Sequence, residues 1–171
     1  MYKYLFSLLS FLLMTVLVYS QDNMDMSSKM EANYKSTVNA LDKGDVDKLD
    51  AYIASDAVDH DIDPSVTKKT GLAGIKEMFT YYHKIFPDMK TTIHSIATSG
   101  DMLFAYITFT GTTSEPYMGM PAGHKMTMDS VDLLRFKGDK AVEHWGFTAN
   151  TDIMKMMPPQ DKMMDQGMDK K

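Results

Sequence analysis

The sequence predicts an α+β domain in which helices come first and a run of antiparallel strands follows. Three observations carry this. Apolar residues recur at helical spacing as far as Phe86. From Lys90 onward the period changes to the alternation of strands. Ser99-Gly100-Asp101 and Lys137-Gly138-Asp139 are short turns that join neighbouring strands running in opposite directions.

Residues 1–20 precede this domain and have a different character. Lys3 is followed by an apolar run, Leu5 to Val18, and Val18-Tyr19-Ser20 offers modest side chains before Gln21, the pattern of a cleavable signal peptide. The run is too short for a lasting membrane anchor, so the expectation is export, to a periplasm or to the medium. Residues 21–27 read as a loose leader. Ser28 and Glu31 form a capping box ahead of a first helix with Met30, Tyr34, Val38 and Leu41 on one face, stopped by Gly44. Asp45 caps a second, short helix in which Val46, Leu49, Tyr52 and Ile53 share a face. "AVDHDID" breaks the pattern and reads as a short extended piece or turn. The third helix carries Leu72, Ile75, Phe79, Tyr82 and Phe86 in one stripe and ends at Pro87.

"KTTIHSIAT", "MLFAYITFTGTT", "KMTMDSVDLLRF" and "KAVEHWGFTAN" are the strands, and "SEPYMGMPAGH", with two prolines and two glycines, is a loop. "MLFAYITF" is apolar on both faces, so the sheet needs cover on two sides. The helices supply one cover, and a second copy of the chain, giving a homodimer, is the simplest source of the other. Thr151 to Met157 reads as a terminal helical turn, which completes a domain at residues 28–157, and residues 158–171 read as a disordered, methionine-rich tail.

The chain has no cysteine, so neither a disulfide framework nor a lipid-modified cysteine is available. Its formal net charge of −5 with no basic run argues against nucleic acid and anionic membrane surfaces as partners.

"AYIASDAVDHD", "GLAGIKEMFTYYHKIFPDMKTTIHSI", "GTTSEPYMGMPAGHKMT" and "VDLLRFKGDKAVEHWG" stand in the order and spacing of one known family. Across residues 31–157 the chain resembles the SnoaL-like polyketide cyclases, or ester cyclases, of the nuclear transport factor 2-like superfamily. The resemblance implies a cone-shaped curved sheet wrapped by about three N-terminal helices, a ligand pocket inside and often a dimer outside. It also implies ring closure by an intramolecular aldol step without metal or cofactor. Members of the family use an aspartate on the final strand as acid/base and a histidine on the strand before it. The matching positions here are Gly146 and Asp132. The family's catalytic acid is therefore absent from its usual place.

A local replacement depends on strand register. A three-residue loop, Lys137-Gly138-Asp139, pairs Phe136 with Lys140 and sets Asp132 opposite His144; a two-residue loop sets Asp132 opposite Trp145 and turns His144 away. Gly-Asp suits the two-residue turn. The pairing of Arg135 with Glu143 as diagonal neighbours, with the ungapped resemblance, favours the three-residue one. In that register Asp132 and His144 share a face with Ser130, Leu134, Val142, Gly146 and Thr148 and are the candidate catalytic pair, the carboxylate orienting the ring and raising its basicity. Gly146 leaves room beside His144. The same pair also serves, without catalysis, as a satisfied polar contact that fixes strand pairing. Trp145 falls on the other face, as core or interface.

"VDHDID" gathers Asp59, His60, Asp61 and Asp63, but has neither zinc-site spacing nor a full calcium loop, so no metal site is assigned. The resemblance places this piece at the rim of the cone, with Asp59 and His60 as ligand contacts. Met118, Met120 and Pro121 in "YMGMPAGHK" are then an apolar lip for substrate, between Gly119 and Gly123. His83 and His94 receive no role. Met154, Met156, Met157, Met163, Met164 and Met168 leave a Cu(I)-binding tail as a lesser alternative. The leading expectation is an exported protein acting on a small apolar carbonyl compound by general acid/base chemistry, with no cofactor. The alternative is a non-catalytic protein that binds a small molecule in the same pocket.

Overall fold

Helix α1 occupies residues 24–42 of the computed structural model, which describes residues 24–149 and residue 152. The predicted signal peptide, the tail with its copper-binding alternative, and all of the terminal turn except Asp152 lie outside the described residues. Helix α1 already runs at residue 24, so Ser28 is inside it rather than its cap, and residues 24–27 are not a loose leader. Local pairing accounts for the earlier start. Lys29 bridges to Asp25 one turn back, and the Ser27 hydroxyl is hydrogen-bonded to that of Thr98 on the sheet at 2.6 Å.

A 3-10 helix, η1 (Val46–Ala51), follows Gly44, whose φ of 70° makes the reversal that glycine tolerates best. The chain then enters β1 (Ile53–Asp59), helix α2 (Gly71–Ile85), β2 (Lys90–Ser99), β3 (Met102–Thr112), β4 (Lys125–Lys137) and β5 (Lys140–Thr148). The stretch expected as a short extended piece or turn is thus a full strand, and Ile53 belongs to it rather than to the helix before it. None of the helices among the described residues is long and apolar enough to cross a membrane.

The five strands form one sheet in the order β1-β5-β4-β3-β2. Four consecutive strands pair antiparallel as predicted, whereas β1 joins the edge beside β5 in parallel, because the chain passes through α2 before the rest of the sheet is laid down. Register shifts at Ile53/Val58, Ile93/Ser95 and Arg135/Phe136 bend the strands and curl the sheet around the helices. Met30, Tyr34 and Val38 of α1 pack on Leu103, Ala105 and Leu134 of the sheet, and Leu72 and Ile75 of α2 pack with Leu49 and Ile53. The opposite face carries Phe104, Tyr106, Val131 and Phe147, all exposed in the single chain; this is the face for which the sequence predicts a partner.

The β4–β5 hairpin adopts neither register expected from sequence. Its turn is the two-residue Gly138-Asp139, with Lys137 opposite Lys140 and Phe136 opposite Ala141. Val142 is then an extra residue on β5, and beyond it Arg135 faces Glu143, Leu134 faces His144, and Asp132 faces Gly146. The bulge restores the face assignment of the three-residue loop while keeping the shorter turn. Asp132 and His144 therefore share the inner face as diagonal rather than direct neighbours, and Arg135 and Glu143 are directly opposed, with Nη1 and Oε2 2.7 Å apart.

Deleting Val142 should turn His144 outward and Trp145 inward, since one residue less reverses every later side chain. Emission of Trp145, the single tryptophan, should then shift to the blue with a fall in stability, while Val142→Ala, which keeps the residue count, leaves the emission unchanged. Wild-type emission from the deletion variant would show that the bulge does not set the facing.

Candidate active site

The curled sheet and the two α-helices enclose a cavity of about 400 Å³, within the range of small-molecule sites. Most of its wall is apolar. Phe79, Phe86, Phe109 and Met126 line one region, with Tyr82 and Tyr117 beside them. Burial pushes the hydroxyl pKa of Tyr82 well above its ordinary value, so this end of the cavity stays uncharged. The polar groups gather elsewhere, where Asp59 of β1, His144 of β5 and Asp132 of β4 lie on three adjacent strands.

His144 stands between these two carboxylates. Its Nδ1 is 3.1 Å from Oδ1 of Asp59, and its Nε2 is 3.8 Å from Oδ1 of Asp132. Asp59 is 4% exposed and cannot trade this partner for water. Its position follows from the parallel pairing, in which Asp59 is the Cα partner of His144 and the His60 N–H donates to the His144 carbonyl at 3.0 Å. On the other side the Tyr34 hydroxyl, from α1, donates to Oδ2 of Asp132 at 2.6 Å. Burial and the neighbouring Asp132 charge raise the Tyr34 pKa far above its ordinary value, so it remains a donor.

The electrostatic outcome is a held cation. Burial by itself lowers the pKa of His144, but its interactions with Asp132 and Asp59 outweigh that loss and raise it from the ordinary 6.5 to about 10. The ring is thus an imidazolium at neutral pH, a donor at both nitrogens. The carboxylates do increase its proton affinity, as expected from sequence, but far enough that the ring at neutral pH carries protons on both nitrogens and has no lone pair left to accept one.

A third carboxylate enters from the turn after β1. Oδ2 of Asp61 accepts a hydrogen bond from the Gly146 N–H and lies 3.8 Å from Nδ1 of His144. A Cβ at position 146 would come within 2.7 Å of that oxygen, so the room left by Gly146 is filled by Asp61. Burial raises the Asp61 pKa, and the Gly146 hydrogen bond and His144 charge oppose the rise without cancelling it.

Asp59, Asp61 and His144 offer three ligand atoms within 4.8 Å of one another, a spacing compatible with a metal ion that the linear sequence did not reveal. A metal would have to displace the proton that Asp59 and Asp132 hold on the ring, so the donor set suits a proton better.

Of the residues expected from sequence, the cavity wall includes Asp59, Asp132, His144, Gly146 and Met118. Met118 and Gly119 form a tight turn with φ of 46° and 81° that closes through Tyr117 and Met120, and this holds Met118 at the cavity. Three others lie elsewhere. His60 stacks on Trp145 with centroids 4.8 Å apart and reaches Glu143 at 3.0 Å, and is not itself part of the cavity wall. Met120 is buried against Phe86 and Met126, beneath the lip rather than on it. Pro121 contributes its carbonyl to the Thr113 hydroxyl. Tyr34 and Asp61 were not foreseen. A tyrosine on an otherwise apolar helix face was the available signal for the first, since a buried hydroxyl needs a partner; nothing in the sequence distinguished Asp61 from its acidic neighbours.

The same architecture recurs in solved structures. TsrD from Streptomyces laurentii superposes with a TM-score of 0.66 at 19% identity, covering 75% of this chain and 94% of that one. IdmH from Streptomyces antibioticus gives 0.64 at 24% identity, covering 74% and 96%. A SnoaL-like polyketide cyclase from Agrobacterium tumefaciens gives 0.62 at 16% identity, covering 74% and 95%. At these identities the likeness establishes the fold, a curved sheet with few helices. None of the curated proteins matches this chain in sequence. The family model for the SnoaL-like polyketide cyclases matches residues 32–157, nearly all of the described domain, and the chain belongs to that family, within the nuclear transport factor 2-like superfamily.

Proposed function

We infer that the protein catalyses a proton transfer on a small, apolar, carbonyl-bearing compound, with His144 and Asp132 central to the chemistry. The observation that carries this reading is an imidazolium fixed between two carboxylates in the wall of an otherwise apolar cavity. An apolar wall takes up the body of the ligand. The imidazolium donates to the carbonyl oxygen and stabilises the negative charge that grows there when a neighbouring C–H is deprotonated. Donors aimed at such charge contribute about 3–4 kcal/mol each where water is excluded. Nδ1 is engaged by Asp59, whereas the 3.8 Å separation of Nε2 from Asp132 is too long for a good hydrogen bond and leaves that N–H open to a ligand oxygen that approaches it. Asp132, fixed by Tyr34, holds the ring's charge and position. The apolar leader of residues 1–20 supports export of the enzyme.

One observation favours a second reading, a binding protein with the same pocket. The resemblance puts the family's catalytic aspartate at position 146, where this chain has glycine. The two readings separate in deuterium exchange beside the carbonyl of a panel of apolar ketones and esters, followed by proton NMR. The enzyme reading expects exchange by the wild type and a loss of about 100-fold in Asp132→Asn. Ligand binding without exchange would establish the binding protein.

Protonated His144 also predicts the sign of two pH dependences. Exchange should persist to pH 9 in the wild type and fall as pH rises through about 10, with this alkaline limb moved to lower pH in Asp132→Asn. Stability linked to the raised pKa is complete below the unfolded value of 6.5 and is lost as pH rises toward about 10. Urea unfolding from pH 6 to 10 should therefore show a decline that His144→Gln flattens; equal slopes in both proteins would contradict it.

A further inference from the structure

The acid/base reading names a donor and leaves the base to be found. His144 is already protonated, and Glu143, also at the cavity, is taken up by Arg135 at 2.7 Å and His60 at 3.0 Å, which leaves the three carboxylates around the ring as candidates for the base. Asp59 is committed: its Oδ1 faces Nδ1 of His144 at 3.1 Å and accepts the Asp61 N–H at 2.9 Å, and its side chain is almost fully enclosed. Asp132 is held by the Tyr34 hydroxyl at 2.6 Å and backs the ring at Nε2. Each is thereby taken up by partners within the protein.

Asp61 shares the cavity wall with these two and differs in its exposure and its contacts. Its side chain is 45% exposed, and among the described residues only its Oδ2 has a hydrogen-bond partner, the Gly146 N–H. Oδ1 is left to meet a ligand. The backbone around it is fixed at two points, by the Asp61 N–H on Asp59 and by Gly146 N–H on the carboxylate itself. Burial also favours its protonated form, which strengthens it as a base.

Position 146 explains why a loop residue can serve. Any side chain there would start 2.7 Å from Oδ2 and 3.4 Å from Cγ of Asp61, so glycine is what admits this carboxylate. The same point is 3.8 Å from Cε1 of His144. A carboxylate delivered from the turn after β1 thus occupies the space that a side chain on β5 would fill, beside the same imidazolium.

Building on that acid/base reading, we propose that Asp61 is the general base, delivered by the turn after β1 into the space left by Gly146. In the step it performs, the C–H bond beside the ligand's carbonyl breaks. Its proton passes to Asp61, and its electron pair moves through the new C=C bond to the carbonyl oxygen, where the His144 N–H meets it. The charges balance without an added reactant.

The test uses 5-nitrobenzisoxazole, whose ring opens when a base removes one carbon-bound proton and releases a coloured nitrophenolate. The full chain should accelerate this opening, and Asp61→Asn, which keeps an acceptor for the Gly146 N–H, should lose about 100-fold. The double variant Asp61→Gly/Gly146→Asp returns the carboxylate to β5, where the nearest remaining atom, at 3.8 Å, leaves ordinary room, and it should recover most of the rate. Circular dichroism melts of both variants report folding, and recovery in the double variant is independent of how well the single one folds. A rate in Asp61→Asn within twofold of wild type, with the loss confined to Asp132→Asn, overturns the role of Asp61 and leaves the acid/base reading standing. No acceleration by the wild type overturns both.

Discussion

A positive charge inside a largely apolar cavity is stable only beside fixed negative partners, and the placement of His144 between Asp59 and Asp132 is the constraint to which the rest of the structure answers. The three residues come from β1, β5 and β4, which are adjacent in the sheet. Parallel pairing of β1 with β5 brings Asp59 level with His144, and the bulge at Val142 turns the ring inward. Tyr34 ties the arrangement to α1 from a position 2% exposed. Loss of either carboxylate leaves the ring's charge under-compensated, at a cost that buried pairs set at about 3–5 kcal/mol.

The cavity's division of labour follows from the same constraint. Apolar and aromatic side chains fill most of the wall, so the body of a ligand is recognised by shape and apolar contact. Three carboxylates surround one imidazolium, which disfavours an anionic ligand and suits a neutral one that becomes negative only as it reacts. The tight Tyr117–Met120 turn sets Met118 at this wall with its side chain largely exposed, an adaptable apolar surface next to a rigid support.

Helices and strands were readable because each is long enough for its period to repeat, from the Leu72–Phe86 stripe to the alternation after Lys90. The hairpin was readable only in halves. Gly138-Asp139 pointed to a two-residue turn, and the Arg135–Glu143 charges pointed to the opposite facing; both signals were right, and a single bulged residue reconciles them. No periodic pattern announces one extra residue. The pairing of β1 with β5 joins segments more than 80 positions apart and has no local signature. In the acidic turn, His60 and Asp61 are neighbours whose side chains go to opposite sides of the sheet, and facing rather than composition separates the ring stacked on Trp145 from the carboxylate in the cavity. The apolar character of Met120 suits a lip and equally suits the core position it takes.

The charge on His144 is open to direct observation. Heteronuclear NMR of imidazole nitrogens, with histidines assigned by substitution, separates the imidazolium from either neutral tautomer across pH. The structure predicts that the His144 ring keeps both protons through neutral pH and releases one only near pH 10. An ordinary titration near 6.5, or a neutral ring at pH 7, would contradict the electrostatic core on which the proposed chemistry rests.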